Sequence, residues 1–306
     1  MSLSDELRPR ARHWLLLGLL FVGTAAGSAH LLRPLVATTE PPHEAVAAAP
    51  APAAVPAAPL PAPEPTPPAA AEPPVAAAPA PVAYAPDFKG PRIAIVLTDV
   101  GDNPAQSRAA IESLPANVGL AFTPYPDVRA LVQAAKADGH EVWAGVPMQP
   151  KSWPRVRPGR NTLLVGAEPA ENIRSLDWAL ARVGGAAGIT GIMGSAFTES
   201  EAAMRPVLQE AGRRGLAYLD ARASGRSVGL AVAQAAKVRA TANDRFLDES
   251  GRIADHLAAL EQHARREGSA IGFARPVPQT IAALEAWAAT LEGKGILLVP
   301  PSSLAE

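Results

Sequence analysis

The side chains of this chain that could do chemistry are mostly carboxylates and arginines, placed directly after short apolar segments. Carboxylates accept protons, sugar hydroxyls or hard cations, whereas guanidinium groups bind carboxylates and other anions. The turn Met193-Gly194-Ser195 allows the close backbone approach that a site on a loop needs, although its side chains neither hold a metal nor carry a proton. The candidate ligand-binding residues are Asp99, Met148, Met193, Ser195, Asp220, Arg222, Asp248 and Arg275. No histidine is among them.

An alternation of short apolar runs and amphipathic stretches must position these residues. The predicted strands are 93–99, 118–124, 141–148, 188–192, 216–220, a short strand from 238, 269–273 and 295–300. The predicted helices are 103–114, 128–137, 170–183, 200–213, 227–236, 252–267 and 279–292. A long loop rich in proline and arginine is predicted between them at 149–166. Seven or eight βα units imply a mainly parallel sheet, and ligands gather at the carboxyl ends of such strands. The pattern alone fits both a closed barrel and an open doubly wound sheet.

The N-terminal third of the sequence predicts an exported, membrane-anchored protein. Three arginines precede an apolar segment at 14–32, which is long enough to cross a bilayer. Residues 33–88 are rich in proline and alanine, with 16 of the 33 prolines between 41 and 86, so they form a disordered spacer. We therefore predict a cytoplasmic N-terminus at 1–13, a single-pass inner-membrane anchor at 14–32, a linker at 33–88 and a periplasmic domain at 89–306. A cleaved signal peptide is the alternative for the apolar segment.

Composition excludes several classes of function. The chain has no cysteine, which rules out disulfides, cysteine-ligated zinc and a thiol nucleophile. Its net charge is −1, and no run of basic residues is interleaved with aromatic ones, so nucleic acid is not an expected partner. The histidines of the predicted domain, His140, His256 and His263, are expected to be structural or solvated. The loop segment KSWPRVRPGR (151–160) either binds an anionic glycan or lipid or is simply solvated.

Several ordered segments resemble one known family. They are IAIVLTDVG, LPANVGLAFTPY, GHEVWAGVPMQP, GIMGSAFT, GLAYLDARAS, FLDE and GILLVPPSSL. Together, across about 92–304, they resemble the divergent polysaccharide deacetylase family, a relative of the NodB-type carbohydrate esterases. The resemblance implies an α/β fold, a distorted (β/α) barrel of about seven strands, here preceded by a transmembrane helix and a disordered linker. It also implies hydrolysis of N-acetyl groups on sugars.

The same resemblance implies a divalent metal such as zinc, held by an aspartate and two histidines, with a second aspartate as base. This sequence departs from that pattern. Thr98 stands where the first of two adjacent aspartates belongs, so that Asp99 is the remaining candidate catalytic residue. Ile192 and Arg275 occupy the histidine positions, and Gln149 replaces a glutamate. Isoleucine cannot ligate a metal, and arginine stays protonated and repels a cation. We therefore expect no metal and no cofactor.

Two functions remain. The first is a membrane-anchored pseudoenzyme whose cleft binds envelope glycan or a periplasmic partner protein, with the Arg275 guanidinium replacing the lost cation beside Asp99. The second is an active deacetylase that uses Asp99, Asp102, Asp220 and Asp248 to hold magnesium or calcium. Structural roles are also open: Asp99 caps the following helix or pairs with Arg275, and Asp220 forms a buried pair with Arg222.

Overall fold

A computed structural model describes residues 87–250 and 252–306. The predicted cytoplasmic N-terminus, the predicted anchor at 14–32 and residues 33–86 of the predicted linker lie outside the described residues. Among the helices that the structure does describe, none is long and apolar enough to cross a membrane.

Short strands alternate with helices along the described chain, as the pattern predicts. The strands are β1 (Arg92–Val100), β2 (Gly119–Phe122), β3 (Val142–Met148), β4 (Gly188–Met193), β5 (Ala217–Asp220), β6 (Ala240–Ala242), β7 (Arg245–Phe246), β8 (Ser269–Ala274) and β9 (Leu297–Leu298). The helices are α1 (Pro104–Ser113), α2 (Arg129–Ala137), α3 (Pro169–Val183), α4 (Glu201–Arg213), α5 (Gly229–Ala235), α6 (Ile253–Glu267) and α7 (Pro278–Ala288). The connection at 149–166 contains neither a helix nor a named strand.

The main differences from the sequence-based prediction lie at the C-terminal end of the chain and at β7. Helix α7 ends at Ala288, four residues early, and a 3₁₀ turn at Glu292–Lys294 follows it. Strand β9 keeps only two residues because Pro300 and Pro301 lead into another 3₁₀ turn, and proline cannot donate to a strand ladder. Strand β7 was not predicted, since two residues are too short to give a periodic signal.

All the strand pairings are parallel, in the order β6-β5-β4-β3-β2-β1-β8-β7, and β9 pairs with the start of β1. Strands β6 and β7 are consecutive in the chain and are separated only by Asn243 and Asp244. The segment 240–246 therefore pairs first with β5 and then with β8. Because one segment pairs with β5 and with β8, the sheet curls into a barrel-like α/β fold.

The two faces of β1 show why the site lies where it does. Ile93, Ile95 and Leu97 pack into the cluster beneath the helices. Ala94 and Val96 point to the opposite face, where they join a second cluster that fills the interior of the sheet with Trp143 and Phe273 among others. The next residue on that inner face is Thr98, and there the close packing ends in a cleft.

Candidate functional site

The cleft lies at the carboxyl ends of the strands and has a volume of about 440 Å³. Its charged lining residues are Asp99, Asp248, Glu249 and Arg275. Its apolar lining includes Ile192, Met193, Phe246 and Phe273, and the two phenylalanine rings meet edge to face with their centroids 6.1 Å apart. A largely apolar cleft with a few converging polar groups is the usual form of a small-ligand or sugar-binding site.

Arg275 and Asp248 form the central ion pair of the cleft. The Nε–H of Arg275 donates to Oδ2 of Asp248 at 2.8 Å, and the backbone N–H of Arg275 donates to the same oxygen at 3.1 Å. Asp248 is the more buried partner, with 11% of its side chain exposed against 58% for Arg275. The hydrogen bond and the charge of Asp248 raise the pKa of Arg275. The predicted interaction of Arg275 with a cleft carboxylate is therefore present, but its direct partner is Asp248.

Asp99 is half-buried at the end of β1 and has a strained backbone, with φ of +57°. No hydrogen bond or ion pair to its carboxylate is found within the described chain. Burial raises the pKa of Asp99; the negative charges of Asp102 and Asp248 also raise it, and Arg275 opposes the shift. Asp99 does not cap the next helix, because Asn103 takes that role by accepting from the N–H of Gln106 at 3.1 Å.

The Met193-Gly194-Ser195 turn forms one rim of the cleft. Met193 adopts φ of +59° and leaves 43% of its surface exposed, and Gly194 has φ of +87°. Met148 is fully buried beneath this turn. The Oγ atom of Ser195 accepts a hydrogen bond from the N–H of Lys151 at 3.1 Å. Of the predicted ligand-binding residues Met148, Met193 and Ser195, only Met193 lines the cleft. Its neighbour Ile192 lines the cleft as well.

Asp220 is 2% exposed and both of its carboxylate oxygens are used by the following loop. Oδ1 accepts from the N–H of Arg222 at 2.8 Å, and Oδ2 accepts from the hydroxyl of Ser227 at 2.7 Å. The Arg222 side chain is exposed, so the expected buried Asp220–Arg222 ion pair is not formed. Arg222 instead lines a shallower pocket beside the cleft, which shares Phe246 and Glu249 with it.

The residues of the cleft do not fit the divalent metal that the resemblance implies. Asp99 is the only family-type ligand there, Ile192 has no donor atom, and Arg275 brings a positive charge. Within residues 87–250 and 252–306, no three His, Cys, Asp or Glu side chains are grouped so that they could hold a metal ion. His140 lies elsewhere, buried, with its ring nitrogens 2.9 and 3.1 Å from the carbonyl oxygens of Val118 and Ile111.

Sequence reasoning missed two prominent cleft residues, Phe246 and Glu249. Phe246 belongs to the two-residue strand β7, and Glu249 follows Asp248 at the cleft mouth. The segment FLDE contained the signal, since it places an aromatic residue and two carboxylates together. The Phe246 side chain reaches the cleft because Phe246 pairs with Phe273 of β8. The local sequence pattern does not reveal that pairing.

Comparison with known proteins agrees with the resemblance drawn from the sequence. Residues 95–305 match the family described as divergent polysaccharide deacetylase. An uncharacterized protein of Haemophilus influenzae is 34% identical over 203 residues, which cover 65% of this chain and 71% of that protein. The uncharacterized protein YibQ of Escherichia coli is 31% identical over 217 residues, covering 70% of this chain and 67% of its own.

A solved structure supports the same relationship. The crystal structure of an uncharacterized protein from Agrobacterium tumefaciens superposes with a TM-score of 0.69 at 33% sequence identity. The superposition covers 71% of this chain and 90% of that one.

Proposed function

The chain belongs to the divergent polysaccharide deacetylase family, and on that premise we propose that its cleft binds an envelope glycan without hydrolysing it. The ligand class follows from the family, whose name refers to polysaccharides. The loss of hydrolysis follows from the residues of the cleft. The proposal makes this protein a glycan-binding pseudoenzyme.

The ion pair of Arg275 with Asp248 is the observation that carries the proposal. In the family pattern the position of Arg275 holds an imidazole that ligates the metal. Here a guanidinium stands at that position, hydrogen-bonded to Asp248 at 2.8 Å and close enough to Asp99 to lower its pKa. A permanent cation at this place opposes the binding of a divalent metal. Without a metal, nothing in the cleft acidifies a water molecule for attack on an acetyl group.

The remaining groups of the cleft suit sugar rings. Glu249 and Asp99 offer carboxylate oxygens that accept hydrogen bonds from hydroxyl groups. The two outer guanidinium nitrogens of Arg275 have no hydrogen-bond partner among the described residues and are available as donors. Phe246 is half-exposed and offers an apolar surface to the less polar face of a sugar ring.

The alternative, an all-carboxylate metal site, needs four aspartates that act together. Asp220 uses both oxygens to hold its own loop, and Asp248 is engaged by Arg275. Asp102 is exposed and does not line the cleft. Of these four aspartates, Asp99 alone is left with a free carboxylate in the cleft, and one aspartate is a weak site for magnesium or calcium.

We also propose the location that the sequence predicts, an inner-membrane anchor at 14–32 with the domain in the periplasm. The proline-rich spacer between 41 and 86, if extended at 3.1 Å per residue, reaches roughly 140 Å. That length lets the cleft reach glycan well beyond the membrane surface. Protease accessibility of the full-length protein in spheroplasts tests this placement, because a cytoplasmic domain would stay protected until lysis.

The function is tested with the full-length protein, a chitin hexasaccharide and calorimetry, together with an assay for released acetate. We expect binding without acetate release in the presence of zinc, magnesium or calcium. Phe246→Ala is expected to weaken binding, whereas Arg266→Gln, an exposed residue of α6 away from the cleft, serves as the matched control. Acetate release that disappears in Asp99→Ala would overturn the pseudoenzyme proposal. Absence of binding to chitin and murein glycan alike would overturn glycan recognition.

A further inference from the structure

The segment Lys151–Arg160, here called the basic loop, carries four cations in ten residues: Lys151, Arg155, Arg157 and Arg160. Lys151 is paired with Glu199 at 2.5 Å. In the described part of the chain, no carboxylate lies within ion-pair distance of the three arginines. The basic loop is therefore a surface with uncompensated positive charge.

Two of these arginines are held against tryptophan rings. The guanidinium of Arg157 lies 5.2 Å from the centre of the Trp153 ring, and that of Arg160 lies 5.5 Å from the centre of the Trp178 ring. Trp178 belongs to α3 and packs on the core. Stacking of this kind restricts the side chain and leaves the edge of the guanidinium free to form bidentate hydrogen bonds with an anion.

The basic loop is joined to the cleft rim at its start. At its start, the N–H of Lys151 donates to Oγ of Ser195, in the turn that carries Met193. At its end, the hydroxyl of Tyr125 donates to the carbonyl oxygen of Arg160, although this hydrogen bond is long at 3.4 Å. The Tyr125 ring lies 5.7 Å from Trp178. A ligand that leaves the cleft over Met193 therefore reaches the start of the basic loop.

We propose that the basic loop binds the carboxylate groups of an anionic glycan whose sugar rings occupy the cleft. This inference rests on the proposed glycan-binding function and adds a preference for acidic strands. The charges of the two regions are complementary to such a ligand. The cleft carries three carboxylates against one arginine, so it favours neutral rings, and the basic loop beside it favours anions.

A glycan strand fits this arrangement better than an anionic membrane. Anionic headgroups that entered the cleft would meet the negative charges of Asp99 and Glu249. A glycan strand can place neutral sugar rings in the cleft and its carboxylate groups on the basic loop. Binding to vesicles is accordingly one outcome of the test rather than part of the proposal.

The test compares two glycans with the full-length protein: a chitin hexasaccharide and a peptide-free strand of alternating N-acetylglucosamine and N-acetylmuramic acid. Both have the same backbone linkage, but only the second carries carboxylates. We expect the acidic strand to bind about tenfold more tightly at low ionic strength, since each of three exposed charge pairs strengthens binding about twofold. This preference should shrink at ~0.5 M NaCl.

The triple variant Arg155→Gln, Arg157→Gln, Arg160→Gln should lose the preference and still bind chitin as the wild type does. The matched control Arg108→Gln, Arg252→Gln, Arg266→Gln removes the same charge from exposed positions outside the basic loop and should keep the preference. Equal binding of both glycans by the wild type would overturn the inference and leave the proposed function standing. Loss of binding to vesicles of phosphatidylglycerol in the triple variant, with its glycan preference intact, would also overturn it. Failure of the wild type to bind either glycan would overturn the proposed function itself.

Discussion

The Nε–H of Arg275 donates to Oδ2 of Asp248 at 2.8 Å and joins the end of β8 to the segment that follows β7. The backbone N–H of Arg275 reinforces the contact by donating to the same oxygen. The pair therefore fixes the position of a cation at the cleft while the outer edge of the guanidinium stays accessible.

Restoring the family-type ligands should restore metal binding. The combined substitutions Thr98→Asp, Ile192→His and Arg275→His supply two imidazoles and an added carboxylate at the cleft, and they remove the opposing charge. We expect stoichiometric zinc in this variant after dialysis and none in the wild type, measured by mass spectrometry of metal content. Ile192→His alone retains Arg275 and should remain free of zinc. Stoichiometric zinc in the wild type would contradict our interpretation of Arg275.

Asp220 is predicted to be structural. Asp220→Ala removes the acceptor for the N–H of Arg222 and for the hydroxyl of Ser227, so the free energy of unfolding should fall by about 3 kcal/mol. Asp220→Asn keeps one oxygen acceptor and should lose less. Urea unfolding measures both. Unchanged stability combined with lost glycan binding in Asp220→Ala would instead make Asp220 a ligand-contacting residue.

Gly194 is predicted to be needed for the backbone of the cleft rim. Its φ is +87°, and an added Cβ would lie 2.9 Å from Cβ of Met148. Gly194→Ala should therefore lower the free energy of unfolding by about 1–2 kcal/mol. Gly166→Ala is the matched control, because a Cβ there meets nothing within 4 Å and should leave stability unchanged or raise it by up to about 1 kcal/mol. Equal effects of the two substitutions would contradict the strained-turn account.

Asp99 should make stability depend on pH. Its pKa is raised above the ordinary 3.8 by burial and by Asp102, so the folded protein holds that proton more tightly than the unfolded chain. The Asp99 contribution to stability is then present below pH 3.8 and is lost as the pH rises through the folded-state pKa. Asp99→Asn should be more stable than the wild type above that window, and the two should converge below it. Urea unfolding across this range measures the difference.

The shift of Asp99 also depends on Arg275, whose charge lowers the pKa. Arg275→Gln should therefore move the carbon-13 NMR titration of the Asp99 carboxyl to higher pH. A variant Asp99→Asn that is less stable than the wild type at neutral pH would show that the ionised carboxylate makes a favourable contact. That result would be inconsistent with an unpaired Asp99.

Much of the fold follows from local pattern. The buried run of β1 and the amphipathic period of α3 and α4 fix those elements within one or two residues of their predicted limits. The strand β7 escapes prediction, and β9 is shorter than its predicted range of 295–300, because pairing with distant strands decides which of their residues are strand. The curling of the sheet also depends on pairing between distant strands. The segment on either side of Asn243 and Asp244 pairs first with β5 and then with β8, and its own residues do not reveal these two partners.

For the site, residue types along the chain predicted which chemical groups stand at the strand ends, including Ile192 and Arg275 at the positions where the family resemblance implies imidazoles. Three features of the site follow from long-range packing instead: Arg275 pairs with Asp248, Asp220 accepts hydrogen bonds from its own loop, and Phe246 lines the cleft. The two kinds of feature differ because they depend on interactions over different distances along the chain. Residue type and strand period act between neighbours in the chain, whereas an ion pair between positions 27 residues apart depends on the register and curvature of the strands that carry them.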